Sequence, residues 1–380
     1  MRCALPLLAL TLVSGSVSAQ SAEKDLARAR RILQTTPLID GHNDLAWAIR
    51  EDSVAPRDVA AYDLRKRTRG HTDLPRLAAG MVGGQFWSVY VPGDAKDSGY
   101  ARIQLEQIDI ARRFIAMYPE RLQLALTSRD VRDAFKRKRI GSMLGLEGGH
   151  VIENSLGTLR SYHAMGARYM TLTHNVTLDW ADAASDSVRH GGLTEFGREV
   201  VREMNRLGML VDLSHVSPAT MSDALDVTEA PVIFSHSNAR ALADVPRNVP
   251  DSILLRLPAN GGVVMVTFVP GFVTTTNPNG ATLSQVADHI EHIRKVAGAD
   301  HVGIGGDFDG ISNVVKGLED VSTYPALFAE LARRGWSDGD LRKLAGENIL
   351  RAMERAEATA ARLQRTKQPS TKTIQELDGK

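Results

Sequence analysis

What most constrains this chain is an alternation. A short apolar run is followed by a helical stretch, about eight times over some 300 residues. The runs that read as strands are 37–40, 85–91, 142–146, 169–173, 209–213, 232–235, 263–268 and 302–306. Most carry β-branched or aromatic residues, and strict apolar–polar alternation is missing. Such strands are buried on both faces, as in parallel sheets covered by helices. "LQLALT" (122–127) is a ninth run, expected as an accessory strand.

Helical patterns fill the intervals: 22–34, 100–118, "SRDVRDAFKRKR" (128–139), 193–208 and 282–298, then 322–335 and 337–363. The stretch 193–208 has a Thr cap, a Glu in its first turn and a closing Gly. Alternation on this scale predicts an α/β fold, a (β/α)8 barrel of the TIM type, with a doubly wound open sheet as the alternative. No low-complexity linker interrupts it, so residues 20–365 read as a single domain. The polar stretch 366–380 is expected to be a frayed tail.

The first residues stand apart. Arg2 precedes an apolar run, Ala4 to Val13, and Val17-Ser18-Ala19 fits a small-x-small cleavage site. Residues 1–19 therefore read as a signal peptide, and the protein as exported, to a bacterial periplasm or beyond. The apolar run is shorter than the roughly 20 residues a membrane span needs. Without residues 1–19 the basic and acidic side chains balance, so net charge gives no ground for a nucleic-acid or membrane partner. Cys3 is the only cysteine. Beyond the leader there is no thiol for a disulfide, a nucleophile or a metal. The C-terminus lacks the apolar end of a lipid-anchor signal.

The strand ends carry the chemistry. The first ends in His42 and Asp44, the third in Glu147, the fourth in His174, the fifth in His215, the sixth in His236, and the eighth in Asp307 and Asp309. One such His is commonly a hydrogen-bonded loop residue, and Asp beside Gly is commonly turn chemistry. Six of eight strands ending this way is a pattern, because a barrel brings those ends to one rim, where active sites sit. Histidines and carboxylates without cysteine suit a first-row metal, zinc foremost. More than four candidate ligands suggests two ions sharing a bridging carboxylate, and Glu147 suits the bridge. His42 and Asp44 would clasp one ion, His215 and His236 the other. His150 stands near Glu147 as a supporting residue. His289 and His292 are expected to be an exposed pair on an outer helix. His71, His163, His190 and His301 lack strand-end context. Gly-x-Ser-x-Gly, phosphate-loop and HExxH motifs are absent.

Together these residues resemble the membrane dipeptidase (renal dipeptidase) family, on an amidohydrolase-type barrel. The matching stretches are "DGHNDL", "LEGGH", "TLTHN", "DLSHVS", "FSHSNAR", "PRNVPD", "LSQVADHIEHI" and "VGIGGDFDG", in order from residue 40 to 310. "GLEDVSTYPAL" continues the likeness. The resemblance implies two zinc ions per chain, held by His42, Asp44, Glu147, His215 and His236. It implies that His174 contacts the substrate and steadies the oxyanion, that Arg247 binds the substrate's terminal carboxylate, and that Asp307 moves protons. Hydroxide bridging the ions would attack dipeptides, L-Xaa-L-Xaa and also L-Xaa-D-Xaa. A homodimer is implied too. The chain departs from mammalian relatives in lacking disulfides and an anchor signal, and Phe272 stands where some relatives carry a pocket Tyr. Other readings of the residues are a lactonase, phosphotriesterase or other amide hydrolase on the same barrel, or a non-catalytic exported zinc- or peptide-binding protein.

Overall fold

A computed structural model describes residues 13–95 and 99–380, with side chains from residue 21 onward. Most of the expected leader lies outside those residues. Nine strands form one sheet, all pairings parallel: β1 (Leu38–Asn43), β2 (Val82–Ser88), β3 (Leu122–Leu124), β4 (Ile140–Glu147), β5 (Ala167–Thr171), β6 (Leu210–Asp212), β7 (Val232–Phe234), β8 (Val263–Val266) and β9 (Val302–Ile304). Pairing of β1 with β9 and of β2 with β4 closes eight of them into a barrel. The expected (β/α)8 architecture is therefore present, and the open sheet is excluded.

The ninth strand is an accessory, as its sequence suggested. β3 pairs with Ile140 to Ser142 of β4, and β5 takes over the pairing from Leu144. Two strands thus share one edge of β4 in succession. Observed strands stop earlier than the apolar runs in most cases. The ladder ends where the chain turns to present its polar strand-end residues.

Helices cover the barrel. Tyr100–Met117, Ser128–Lys136, Leu156–Ala164, Glu195–Leu207, Pro218–Val227, Leu283–Ala297 and Tyr324–Arg333 follow successive strands. Thr194 accepts from Gly197 N, and Gly208 ends that helix in the left-handed region, the cap and stop read from sequence. Inside the barrel Ile39, Phe86, Met143, Tyr169, Ile233 and Met265 form one buried cluster, joined by Ile349, Leu350 and Met353 of the helix Asn348–Leu363.

The C-terminal segment corrects an expectation. Residues 366–380 are polar in composition yet docked. A short helix, Ile374–Asp378, is capped by Thr373 and buries Ile374. Asp378 accepts from Phe196 N, and Arg160 donates to the Ser370 carbonyl at 2.8 Å. One apolar residue and a capping box were enough to order a stretch whose average polarity suggested fraying.

The His289–His292 pair is a second correction. His289 is fully buried, with Nδ1 accepting from Ala239 N at 3.2 Å and Nε2 donating to the Val273 carbonyl at 2.9 Å. His292 lies 2.8 Å from Asp251 Oδ1. The first of the pair is on the face of its helix turned toward the barrel, and the i, i+3 spacing hid that.

Candidate metal centre

The C-terminal strand ends surround a cavity of about 360 Å³, lined among others by Asp44, Glu147, His174, His215, His236, Arg247 and Asp307. His42 lies beneath, completely buried. All eight expected site residues therefore meet at one end of the barrel.

Glu147 stands at the centre, and its two oxygens face different partners. Oε2 lies 3.3 Å from His42 Nε2. Oε1 lies 3.2 Å from His215 Nε2, 3.5 Å from His236 Nε2 and 3.8 Å from His174 Nε2. Asp44 Oδ2 is 3.2 Å from His42 Nε2, and Asp307 Oδ1 is 4.0 Å from it. Three overlapping groups could each hold an ion: His42, Glu147 and His236; Glu147, His174 and His215; His42, Asp44 and Asp307. Glu147 and His42 each belong to two of them. His174, expected as a substrate contact, is thus also within ligand distance.

The donor chemistry fits a cation. Ser235 Oγ donates to Asp212 Oδ2 at 2.6 Å, so toward His236 Nδ1, at 2.8 Å, it can only accept. Asn175 Oδ1 accepts from His215 Nδ1 at 3.0 Å. Both Nδ1 atoms therefore carry the protons, and both Nε2 atoms present lone pairs. Those Nε2 atoms are 2.8 Å apart. Two lone pairs at that distance repel unless a positive charge lies between or beside them. Burial holds both imidazoles well below their ordinary pKa, aided at His215 by Arg247 and at His236 by His42, so they stay neutral, as metal ligands must be. His42 Nε2 is also buried without a hydrogen bond, and its Nδ1 lies 2.9 Å from the Tyr169 hydroxyl.

The partners of these histidines escaped the sequence reading. Asp212 also accepts from Ser235 N, Ser214 N and the Thr171 hydroxyl. Asp212 and Tyr169 lie within predicted strands, where nothing in a single sequence marks them. Gly145 makes room for the Tyr169 ring. A Cβ there would sit 2.0 Å from Cζ of that ring. Gly148, at φ 103°, turns the chain after Glu147 where only glycine is comfortable. His215, Asp307 and Asp309 also have φ between 65° and 68°, an uncommon conformation for non-glycine residues and one that gathers at functional sites.

Electrostatics separates the two central carboxylates. Burial works against the charge of Glu147, yet His42, 3.3 Å from its Oε2, holds it well below the usual carboxylate range. Burial pushes Asp307 well above that range, with Asp44 and Glu147 adding to the rise against the pull of His42 and Arg247. The two neighbouring carboxyl groups are thus pushed toward opposite protonation states. His174 is lowered by burial and stands edge-on to Tyr90, 4.9 Å between ring centres. Arg247 is buried, 5.2 Å over the Phe272 ring. Among the described residues no carboxylate lies within ion-pair distance of it; its contacts are Ser237 Oγ and the His236 carbonyl, both at 3.4 Å. His150 donates from Nε2 to the Val91 carbonyl and supports the loop behind Tyr100.

Fold and site define a metal-dependent hydrolase of the amidohydrolase type. Residues 26–367 match the family described as membrane dipeptidase (peptidase family M19), and the chain belongs to that family: it is a metallodipeptidase. Solved structures agree. A metallopeptidase from Rhodobacter sphaeroides, crystallised with a phosphinate mimic of the dipeptide L-Ala-D-Ala, is 26% identical with a TM-score of 0.77, over 85% of this chain and 99% of that one. A structure described as the dipeptidase AC, a metallopeptidase of the same family, is 27% identical with a TM-score of 0.77, over the same shares. The probable dipeptidase PvdM from Pseudomonas aeruginosa, at 22% identity, shares the fold with a TM-score of 0.79, over 89% of this chain and 100% of that one. No helix of the described residues is long and apolar enough to cross a membrane.

Proposed function

We propose that the cavity hydrolyses dipeptides with two zinc ions, His42 and Asp44 holding one, His215 and His236 the other, and Glu147 between them. The observation that carries this is the division of Glu147, with one oxygen toward His42 and the other toward His215 and His236. Imidazole and carboxylate suit first-row ions, zinc among them. Bound there, the ions would polarise the scissile carbonyl and make a water nucleophilic near neutral pH.

The remaining work falls to side chains. Arg247, buried without a carboxylate partner, suits the substrate's terminal carboxylate, which a guanidinium matches with two parallel hydrogen bonds. Neutral His174 keeps one N–H to donate to the oxygen on which negative charge develops. Asp307, its proton affinity raised, takes the proton of the attacking water and returns it to the leaving amine. A cavity of about 360 Å³ with its cation at one side favours two residues over longer peptides. The ligand of the Rhodobacter relative supports testing L-Xaa-D-Xaa as well as L-Xaa-L-Xaa. The pattern of residues 1–19 supports export of the enzyme.

The test is a metal count on the purified protein, with hydrolysis of Gly-L-Xaa, Gly-D-Xaa and tripeptides measured with and without chelator. Two zinc ions per chain and chelator-sensitive cleavage of dipeptides alone are expected. Two ions without dipeptide cleavage would move the reading to lactones or phosphoesters.

A further inference from the structure

A second cavity lies at the opposite end of the barrel. Its volume is about 790 Å³. Pro37, Val82 and Ile140, at the starts of β1, β2 and β4, line it together with Leu33 and Phe135. The metal-centre residues stand at the other ends of the same strands, so the two cavities face apart.

Its charge is one-sided. Arg121, Arg132, Lys136, Lys138 and Arg139 line it, and no acidic residue does. Three of these belong to the run Lys136-Arg137-Lys138-Arg139, where the helix Ser128–Lys136 gives way to β4. Lys138 adopts φ 59° there and folds the run back, with Arg139 N bonded to the Ala134 carbonyl. Arg132 is paired with Glu354 at 2.8 Å and Lys136 with Asp133 at 3.4 Å. Among the described residues, no carboxylate lies within ion-pair distance of Arg121, Lys138 or Arg139. The near-zero charge of the whole chain conceals this local excess.

Unbalanced cations around an apolar floor match an anion that carries an apolar body. The three unpaired cations, Arg121, Lys138 and Arg139, would attract an anionic lipid surface, and their long stems can lie along the apolar part while the charges reach the headgroups. A nucleic acid would leave the floor of Leu33, Pro37, Val82 and Ile140 unmatched. We propose that the N-terminal rim of the barrel docks this protein on an anionic phospholipid surface. Headgroup phosphates would meet Arg121 and the 136–139 run, and the catalytic mouth would face away from the bilayer, open to dipeptides.

The test is sedimentation of the protein from Gln20 to Lys380 with vesicles of phosphatidylcholine alone, or with about one-third phosphatidylglycerol, at low and high salt. Binding to the anionic vesicles only, lost at high salt, is expected. Lys136→Glu, Lys138→Glu and Arg139→Glu together should reduce that binding at least tenfold, with dipeptide turnover in solution unchanged. Melting curves check that the triple variant folds; if it does not, Lys136→Gln with Arg139→Gln replaces it. Equal partition of the unaltered protein on both vesicles, or undiminished binding by a folded variant, overturns the proposal. So does saturable binding of a soluble short-chain phosphatidylglycerol without vesicle binding, which would make the cavity a pocket for a small anion.

Discussion

Ser235 stands between Asp212 and His236, giving its proton to the first at 2.6 Å and accepting one from the second at 2.8 Å. A hydroxyl so placed leaves His236 one tautomer, with its Nε2 lone pair aimed into the site. Ser235→Ala removes the acceptor and lets the imidazole exchange tautomers. Metal affinity should fall roughly 10- to 100-fold, read by competition with a chelator. Thr171→Val is the control, since it takes a different bond from the same Asp212 oxygen and should leave affinity nearly intact. Equal losses in both variants would show a general loosening of the strand ends instead.

Arg247 should govern recognition of the free carboxylate. Arg247→Ala is expected to lose about 2–3 kcal/mol of binding, roughly 30- to 150-fold in kcat/KM for dipeptides. Substrates with an amidated C-terminus should lose little, because they have no charge to offer it. Undiminished dipeptide turnover would remove Arg247 from the site's chemistry.

Asp307→Asn keeps the shape and removes the titrating oxygen. We expect metal content to be retained and kcat to fall by about 10²- to 10⁴-fold. Full activity with both metals bound would assign the proton transfer elsewhere.

His150 should shape acid stability. Burial lowers its pKa to about 4, partly offset by its bond to the Val91 carbonyl. The unfolded chain takes up this proton near pH 6.5, whereas the folded chain does so only near 4. Between those values the unfolded state binds more protons, so stability drops as pH falls, by up to about 3 kcal/mol for this group. His150→Gln retains an N–H donor and cannot titrate. Its melting temperature should fall less steeply across that window than the unaltered protein's.

The barrel was legible because six of its eight strands announced themselves twice, by an apolar run and by the polar residue that ended it. His42, Glu147, His215, His236 and Asp307 are all found at one rim because parallel strands leave few other places for such residues. The orienting residues were not legible. Asp212 precedes "LSH" and reads as one more strand residue, and its role depends on Ser235 of the neighbouring strand. His289 was misplaced because helical spacing alone does not say which face turns inward. Residues 366–380 were misread because composition averages away one well-placed Ile374. The basic groove was invisible to net charge, since Arg121 joins the 136–139 run only when β3 lies against β4.

Gly145 closes the account of how the site depends on its surroundings. The absence of a side chain there lets Tyr169 lie across β4, and the Tyr169 hydroxyl meets His42 Nδ1 at 2.9 Å. A single methyl at position 145 would therefore reach the metal centre without touching it. Anyone diversifying this enzyme toward new substrates should leave that residue untouched. A library that varies only the rim inherits a silent constraint from a position that no inspection of the pocket would flag.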